Sequence, residues 1–324
     1  MNIKRVVSDK PKNYLRIEFM VSNVCNYKCW YCGPHANAGD FKWTNNLPLL
    51  IGNFKHLIEY YKSNGKTEFE LTMLGGEPTL WRDLKRFVTE IKEDTQLRLI
   101  MTTNASRTIR WWKEHAPLFD KIQFSYHPSY ANQKHYIEVV DTVYELGISC
   151  NALIEMDPKN WNVSMEMIEK CKKESKYPWS ISAMEIHSEI EYTDSQKEFF
   201  KNHIKRYPDI ERILRDEKHN MNRPKPRVIF EDNSELEIKR NWISVNNLNN
   251  FKGWICDLGI ENINIQKDGI ITGTCGEKLF GLDFYFNIYD ENFKDTFKPI
   301  LKPVVCSKSK CFCQPEMLMN KFKP

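Results

Sequence analysis

The amino-acid sequence predicts an α/β fold, with parallel strands joined by helical crossovers and then a smaller cysteine-bearing β region. Three observations predict it. Six strand–helix units follow one another between residues 14 and 205. The alternation stops near residue 206 and gives way to a polar stretch with Pro224 and Pro226. Five of the ten cysteines then lie beyond residue 250, among short β-rich pieces punctuated by glycine.

The elements follow from periodicity and their end signals. Tyr14 to Val21 is apolar and β-rich, and reads as a strand; a polar, cysteine-bearing loop follows it. Leu47 to Tyr61 has apolar residues at helical spacing, Glu68 to Leu74 is a strand ended by Gly75-Gly76, and Leu80 to Ile91 is a helix. Strands at Leu97 to Thr103 and Lys121 to Tyr126 flank a short helix, Thr108 to His115. Asn132 to Leu146 is a helix closed by Gly147, Ile148 to Met156 a strand, and Val163 to Ser175 a helix. Trp179 to Ile186 is the sixth strand, and Asp194 to Lys205 a helix with Thr193 at its cap position. Such alternation calls for right-handed crossovers between parallel strands. Six units are too few for a closed eight-fold barrel, and an open doubly wound sheet fits the same alternation. Beyond the linker, Arg227 to Arg240 alternates around Asp232-Asn233 as a β-hairpin does. The expected divisions are an N-terminal extension over 1–13, the strand–helix region over 14–205, linker and hairpin over 206–250, and a small β region over 251–324.

Composition narrows the function classes. The 324 residues are 41% hydrophobic and 13% aromatic, enough for a packed core and about two domains. Lys and Arg number 47 against 43 Asp and Glu, a net +4 that supplies no basic stripe, so nucleic acid is not an expected partner. No apolar run approaches the ~18 residues of a membrane span, and residues 1–5 lack the apolar core of a signal peptide. The expected location is the cytoplasm, where thiols stay reduced and clustered cysteines read as metal ligands rather than disulfides.

The first constellation is Cys25-Asn26-Tyr27-Lys28-Cys29-Trp30-Tyr31-Cys32, a C-x3-C-x2-C loop directly after the first strand. Three close thiolates call for a metal. With His35 as a fourth ligand they would suit zinc. As a trio on a [4Fe–4S] cluster, they would leave one iron open for a non-protein ligand. Tyr31 is flat and apolar, suited to lie beside a planar ligand. The second constellation is Gly75-Gly76-Glu77-Pro78 at the end of the second strand. Its glycines permit close approach to backbone amides and carbonyls, and Glu77 offers an acceptor to an amino group. Cys256, Cys275, Cys306, Cys311 and Cys313 form the third group. A four-cysteine zinc ribbon is one reading of it, and a metal there would compensate for a small core. Cys150 and Cys171 lie singly in apolar segments and read as small buried hydrophobes.

Together, the two early motifs on six strand–helix units resemble the radical S-adenosylmethionine (SAM) enzymes over residues 14 to 205. The resemblance implies a partial (β/α)6 TIM-like barrel. It implies that Cys25, Cys29 and Cys32 bind three irons of a [4Fe–4S] cluster whose fourth iron chelates SAM. Tyr31 would lie against adenine, Gly75, Gly76 and Glu77 would hold the methionine amino group, and Asn104 and Ser125 would line the pocket. The implied chemistry is one-electron cleavage of SAM, giving a 5′-deoxyadenosyl radical that abstracts hydrogen, with an electron donor such as flavodoxin or ferredoxin. Where relatives commonly carry Ser-Leu-Asp, this chain has Ser125-Tyr126-His127-Pro128. The tail resembles SPASM or twitch extensions, which implies one auxiliary [4Fe–4S] cluster on four of its five cysteines. His127, Glu185 and His187, near strand ends, are the candidate proton donors, bases or substrate contacts. The expected substrate is a peptide or an amino-sugar-like small molecule, oxidised, epimerised or crosslinked; an RNA-modifying enzyme and a non-catalytic zinc or Fe–S module are the alternatives.

Overall fold

A computed structural model of the chain describes residues 2–186, 191–206, 226–238, 242–273, 285–307, 309–311 and 314–324. Strand β2 (Tyr14–Met20) opens a parallel series with β3 (Glu68–Leu74), β4 (Arg98–Thr103), β5 (Lys121–Tyr126), β6 (Ser149–Glu155) and β7 (Ser180–Met184). Between them run α1 (Pro34–Asn37), α2 (Leu47–Ser63), α3 (Leu84–Thr95), α4 (Ile109–His115), α5 (Gln133–Glu145) and α6 (Trp161–Glu174), and α7 (Asp194–Arg206) follows the last. Local chemistry sets the ends. Asn46, Thr108 and Asn132 accept backbone N–H groups at the starts of α2, α4 and α5, and Gly147 takes φ +80° just after α5.

The strands lie side by side in chain order, from β2 to β7. With every crossover right-handed and stepping in one direction, all helices fall on one face. A doubly wound sheet would need a reversal of order, and none occurs. Neighbouring helices accordingly pack in sequence, α2 on α3, α4 on α5 and α5 on α6. Leu15, Ile17 and Phe19 of β2 face these helices, and Phe19 meets the rings of Phe54 and Phe87. The intervening residues of every strand face the other way.

Two expectations about the chain's divisions change. The C-terminal region supplies β10 (Ile255–Cys256), β11 (Asn262–Ile265), β12 (Ile270–Thr272), β13 (Phe286–Asn287), β14 (Val304–Val305) and β15 (Lys321–Phe322). Of these, β11 pairs parallel with β2, and β12 and β13 continue antiparallel, making a nine-stranded sheet. Ile263 and Ile265 join the same core as the first six strands, so the tail completes the main sheet rather than standing apart. Residues 1–13 are likewise more than an extension. Ile3–Val7 forms β1, which pairs with β8 (Arg227–Phe230) and β15. The second sheet runs β14-β10-β15-β1-β8-β9, where β9 is Glu235–Glu237, over its own core of Val6, Val228, Ile243, Phe251 and Met317. The hairpin expected around Asp232-Asn233 forms as β8 and β9, with Asn233 at φ +68°. Most of the expected linker lies outside the described residues. Among the described residues no helix is long and apolar enough to cross a membrane.

Candidate functional site

The cysteine loop leaves the C-terminal end of β2 and is tied to the turn after β3. The sheet pairing continues past both strand ends: Val21 N–H donates to Leu74 O, Gly76 N–H to Ser22 O (2.9 Å) and Glu77 N–H to Val24 O (2.8 Å). This contact explains both glycines. A Cβ on Gly76 would collide with the Val24 carbonyl, and one on Gly75, at φ +130°, with the Ser22 carbonyl. The glycines admit the chain's own backbone, pressing the Gly-Gly strap onto the residues that lead into Cys25.

Glu77 has a different task from the one expected of its carboxylate. It is 1% exposed and accepts from Thr79 N–H (3.1 Å), the Thr103 hydroxyl (2.7 Å) and Asn104 N–H (2.7 Å). It caps the turn after the strap and binds the end of β4 to it. Burial pushes its pKa up, and the hydrogen bonds from Asn104, Thr79 and Thr103 oppose that rise.

Cys29 is buried, and Cys25 and Cys32 are partly so. Burial raises all three thiols, Cys29 to about 12 and Cys32 to about 11. Bare, they stay protonated; a bound cationic centre is what would draw the protons off. Among the described residues no three Cys, His, Asp or Glu side chains converge on a single ion site. Zinc needs all its ligands within about 2.3 Å of one point, whereas a cube takes each thiolate at a different iron and tolerates a wider spread. Three thiols at C-x3-C-x2-C spacing on one loop are a donor set that a cube can take, one at each of three irons. The His35 side chain lies outside the described residues.

The other predicted residues divide. The Tyr31 hydroxyl lies 2.9 Å from His127 Nδ1, and the two rings stack at 6.0 Å. Burial drives His127 down to about 4, so a neutral imidazole faces the phenol. Asn104 is buried beside Cys25, and Ser125 is buried at the end of β5. Glu185 lies exposed just beyond the end of β7. His187, Cys275 and Cys313 lie outside the described residues. Cys256 is buried on β10, close enough to Cys306 for their charges to interact, and Cys306 N–H donates to Trp254 O at 2.8 Å. Cys311 is held to Asn249 by two hydrogen bonds, at 2.9 and 2.8 Å.

Sequence reasoning missed Glu155. It is the last residue of β6, and its carboxyl accepts a hydrogen bond from Ser125 on the adjacent strand. Burial lifts it to about 8, and its field reaches Cys29, Cys32 and Tyr31 across the site. Its position at a strand end, level with the Ser125 end of β5, was the available signal. Sequence reasoning also missed the interior face. In register across the sheet, Glu18 sits beside Thr72 and Asn264, and Gln123 beside Thr102 and Asn151. Barrel interiors are ordinarily filled with branched apolar residues. Here amides and hydroxyls share the interior with the ion-paired Arg16–Glu18 and Arg98–Glu70, and among the described residues the buried Thr72 Oγ1 and Asn151 Oδ1 have no partner.

An incompletely closed barrel with a three-cysteine loop at the C-terminal ends of its strands defines a class of cofactor-dependent enzyme. Residues 19–182, just over half the chain, match the radical SAM superfamily, and the chain belongs to it. A stretch of 98 residues is 37% identical to GTP 3′,8-cyclase of Campylobacter lari, spanning 29% of this chain and 28% of that protein. The fold is similar to a histidine-tagged anSMEcpe with bound AdoMet, at 14% identity and a TM-score of 0.53, over 87% of this chain and 77% of that one. Native anSMEcpe with bound AdoMet and Cp18Cys peptide matches with a TM-score of 0.52 at 14% identity, over 87% and 80% of the two chains. These likenesses establish a partial barrel. The family implies SAM and a [4Fe–4S] cluster, and the loop's donor set fits them.

Proposed function

We propose that this chain uses SAM and a [4Fe–4S] cluster to oxidise, epimerise or crosslink a polar substrate by hydrogen-atom abstraction. When bound, the pair supplies one-electron cleavage of a C–S bond and thereby a carbon radical able to take hydrogen from an unactivated C–H bond. Cys25, Cys29 and Cys32 would hold three irons. The Gly75-Gly76 backbone would present carbonyls to the methionine amino group, Tyr31 would flank adenine, and Asn104 and Ser125 would line the pocket. His127 would hold Tyr31 in place. One observation carries this reading: three thiols on a single loop are fastened by backbone hydrogen bonds to a glycine strap at the open ends of the strands.

The polar interior, with its amides, hydroxyls and paired charges, supports a substrate rich in hydrogen-bonding groups, an amino-sugar-like molecule or a peptide side chain. Burial holds Glu155 well above the usual carboxylate range, and it would accept a substrate amine or hold a proton at its carboxyl. Four of Cys256, Cys275, Cys306, Cys311 and Cys313 would carry an auxiliary cluster, and the approach of Cys256 to Cys306 supports this. A flavodoxin- or ferredoxin-type donor would reduce the first cluster.

The test is anaerobic reconstitution, iron and sulfide counting, and a search for 5′-deoxyadenosine after adding dithionite and SAM. Cleavage with about eight irons per chain supports both clusters, and about four supports the first alone. A Cys29→Ala chain that still cleaves SAM overturns the ligand assignment.

A further inference from the structure

We infer that Asn104 raises the reduction potential of a cluster held at Cys25 by donating a side-chain N–H hydrogen bond to the Cys25 sulfur; this rests on the cluster reading above.

The side chain is over-determined. Its Oδ1 accepts Ser106 N–H at 3.0 Å, which fixes which end of the amide is oxygen. The NH2 group therefore faces the cysteine loop. One of its hydrogens goes to Asn26 Oδ1 at 2.9 Å. The other is left toward Cys25 Sγ at 3.9 Å, in a residue only 5% exposed. A buried donor needs a partner, and the sulfur is the one present. The backbone is held as firmly, by the Glu77 carboxylate at 2.7 Å. The next residue, Ala105, adopts φ +62°, a conformation that a non-glycine residue keeps only where its surroundings enforce it. Tyr27 N–H donates to the same sulfur at 3.3 Å. Cys25 thus receives one donor from its own loop and a second from the end of β4, 79 residues away.

Reduction adds negative charge to a cluster and its sulfurs, so N–H dipoles aimed at a ligating sulfur favour the reduced form. A purely structural Asn104, clamping Asn26, would leave the potential alone.

The experiment is an EPR-monitored redox titration of the anaerobically reconstituted full chain. Asn104→Leu and Asn104→Asp both remove the donor, and Asp keeps the acceptor for Ser106; in each the midpoint should become more negative. A measurement on the unmutated sequence guards against variants that fail to assemble. With asparagine labelled with 15N at the side-chain nitrogen, hyperfine spectra of the reduced cluster should show a weak nitrogen coupling. Absence of that coupling, or variant midpoints equal to wild type, overturns the inference while the reading of Cys25, Cys29 and Cys32 as cluster ligands stands. A chain that assembles no cluster overturns the underlying reading and this one with it.

Discussion

The carboxylate of Glu77 accepts the backbone N–H of Asn104 at 2.7 Å, joining the turn after β3 to the end of β4 beneath the cysteine loop. The same carboxylate takes the Thr103 hydroxyl and Thr79 N–H, so one buried side chain satisfies donors from two strand ends. Glu77→Ala would strand all three in a site that water does not reach. The expected loss is about 3 kcal/mol of stability, with Glu77→Gln losing less. Thermal unfolding of the apoprotein measures it, and iron retained after reconstitution should fall in parallel.

Gly76→Ala tests the strap itself. The added methyl meets backbone, which cannot rotate away as a side chain would. About 3 kcal/mol of destabilisation is expected, with displacement of the cysteine loop. A variant that unfolds like wild type in urea and binds as much iron would show that the close approach is unimportant.

Between the two sheets, Glu261 makes stability depend on pH. Burial and the nearby Asp257 raise its pKa from 4.5 to about 7, while Asn320 donates to the carboxyl. Below 4.5 the folded and unfolded chains both carry the proton and the contribution is complete; between 4.5 and about 7 only the folded chain does, so stability falls as pH rises. Glu261→Gln removes this slope. The variant's urea midpoint, relative to wild type, should climb across that window and level off above it.

A chain ended at residue 250 should not behave as a free-standing barrel. It would lose β11 from the flank of β2, and β15 from the flank of β1. The edge newly bared at Arg16 to Phe19 is a template for aggregation. Size-exclusion chromatography should find aggregate where the full chain gives one species; a monodisperse product with native circular dichroism would count against the shared core.

Much of this was readable along the chain. Strand and helix periods differ, and six alternations place their strands and helices within a few residues of the observed ends. The three-cysteine loop and the Gly-Gly turn are local spacings, visible without any knowledge of the fold. β1 was missed because Ile3–Val7 carries Lys4 and Arg5, and its strand character comes from β8 and β15 on either side. β11 was read as part of a separate region, since nothing in Asn262–Ile265 announces β2 as its neighbour. Glu155 reads as an ordinary acidic strand end until Ser125 is set beside it.

Residue order settles which segments extend, which coil and where thiols cluster, because those properties depend on neighbours a few positions away. Lateral partners belong to the folded molecule: that a tail strand completes the first sheet, that Glu77 serves its own backbone, and that Asn104 meets Cys25 depend on contacts between residues far apart in sequence. Such pairings are selected by shared burial and by the need to satisfy every enclosed donor, conditions that exist only once the layers have closed on one another.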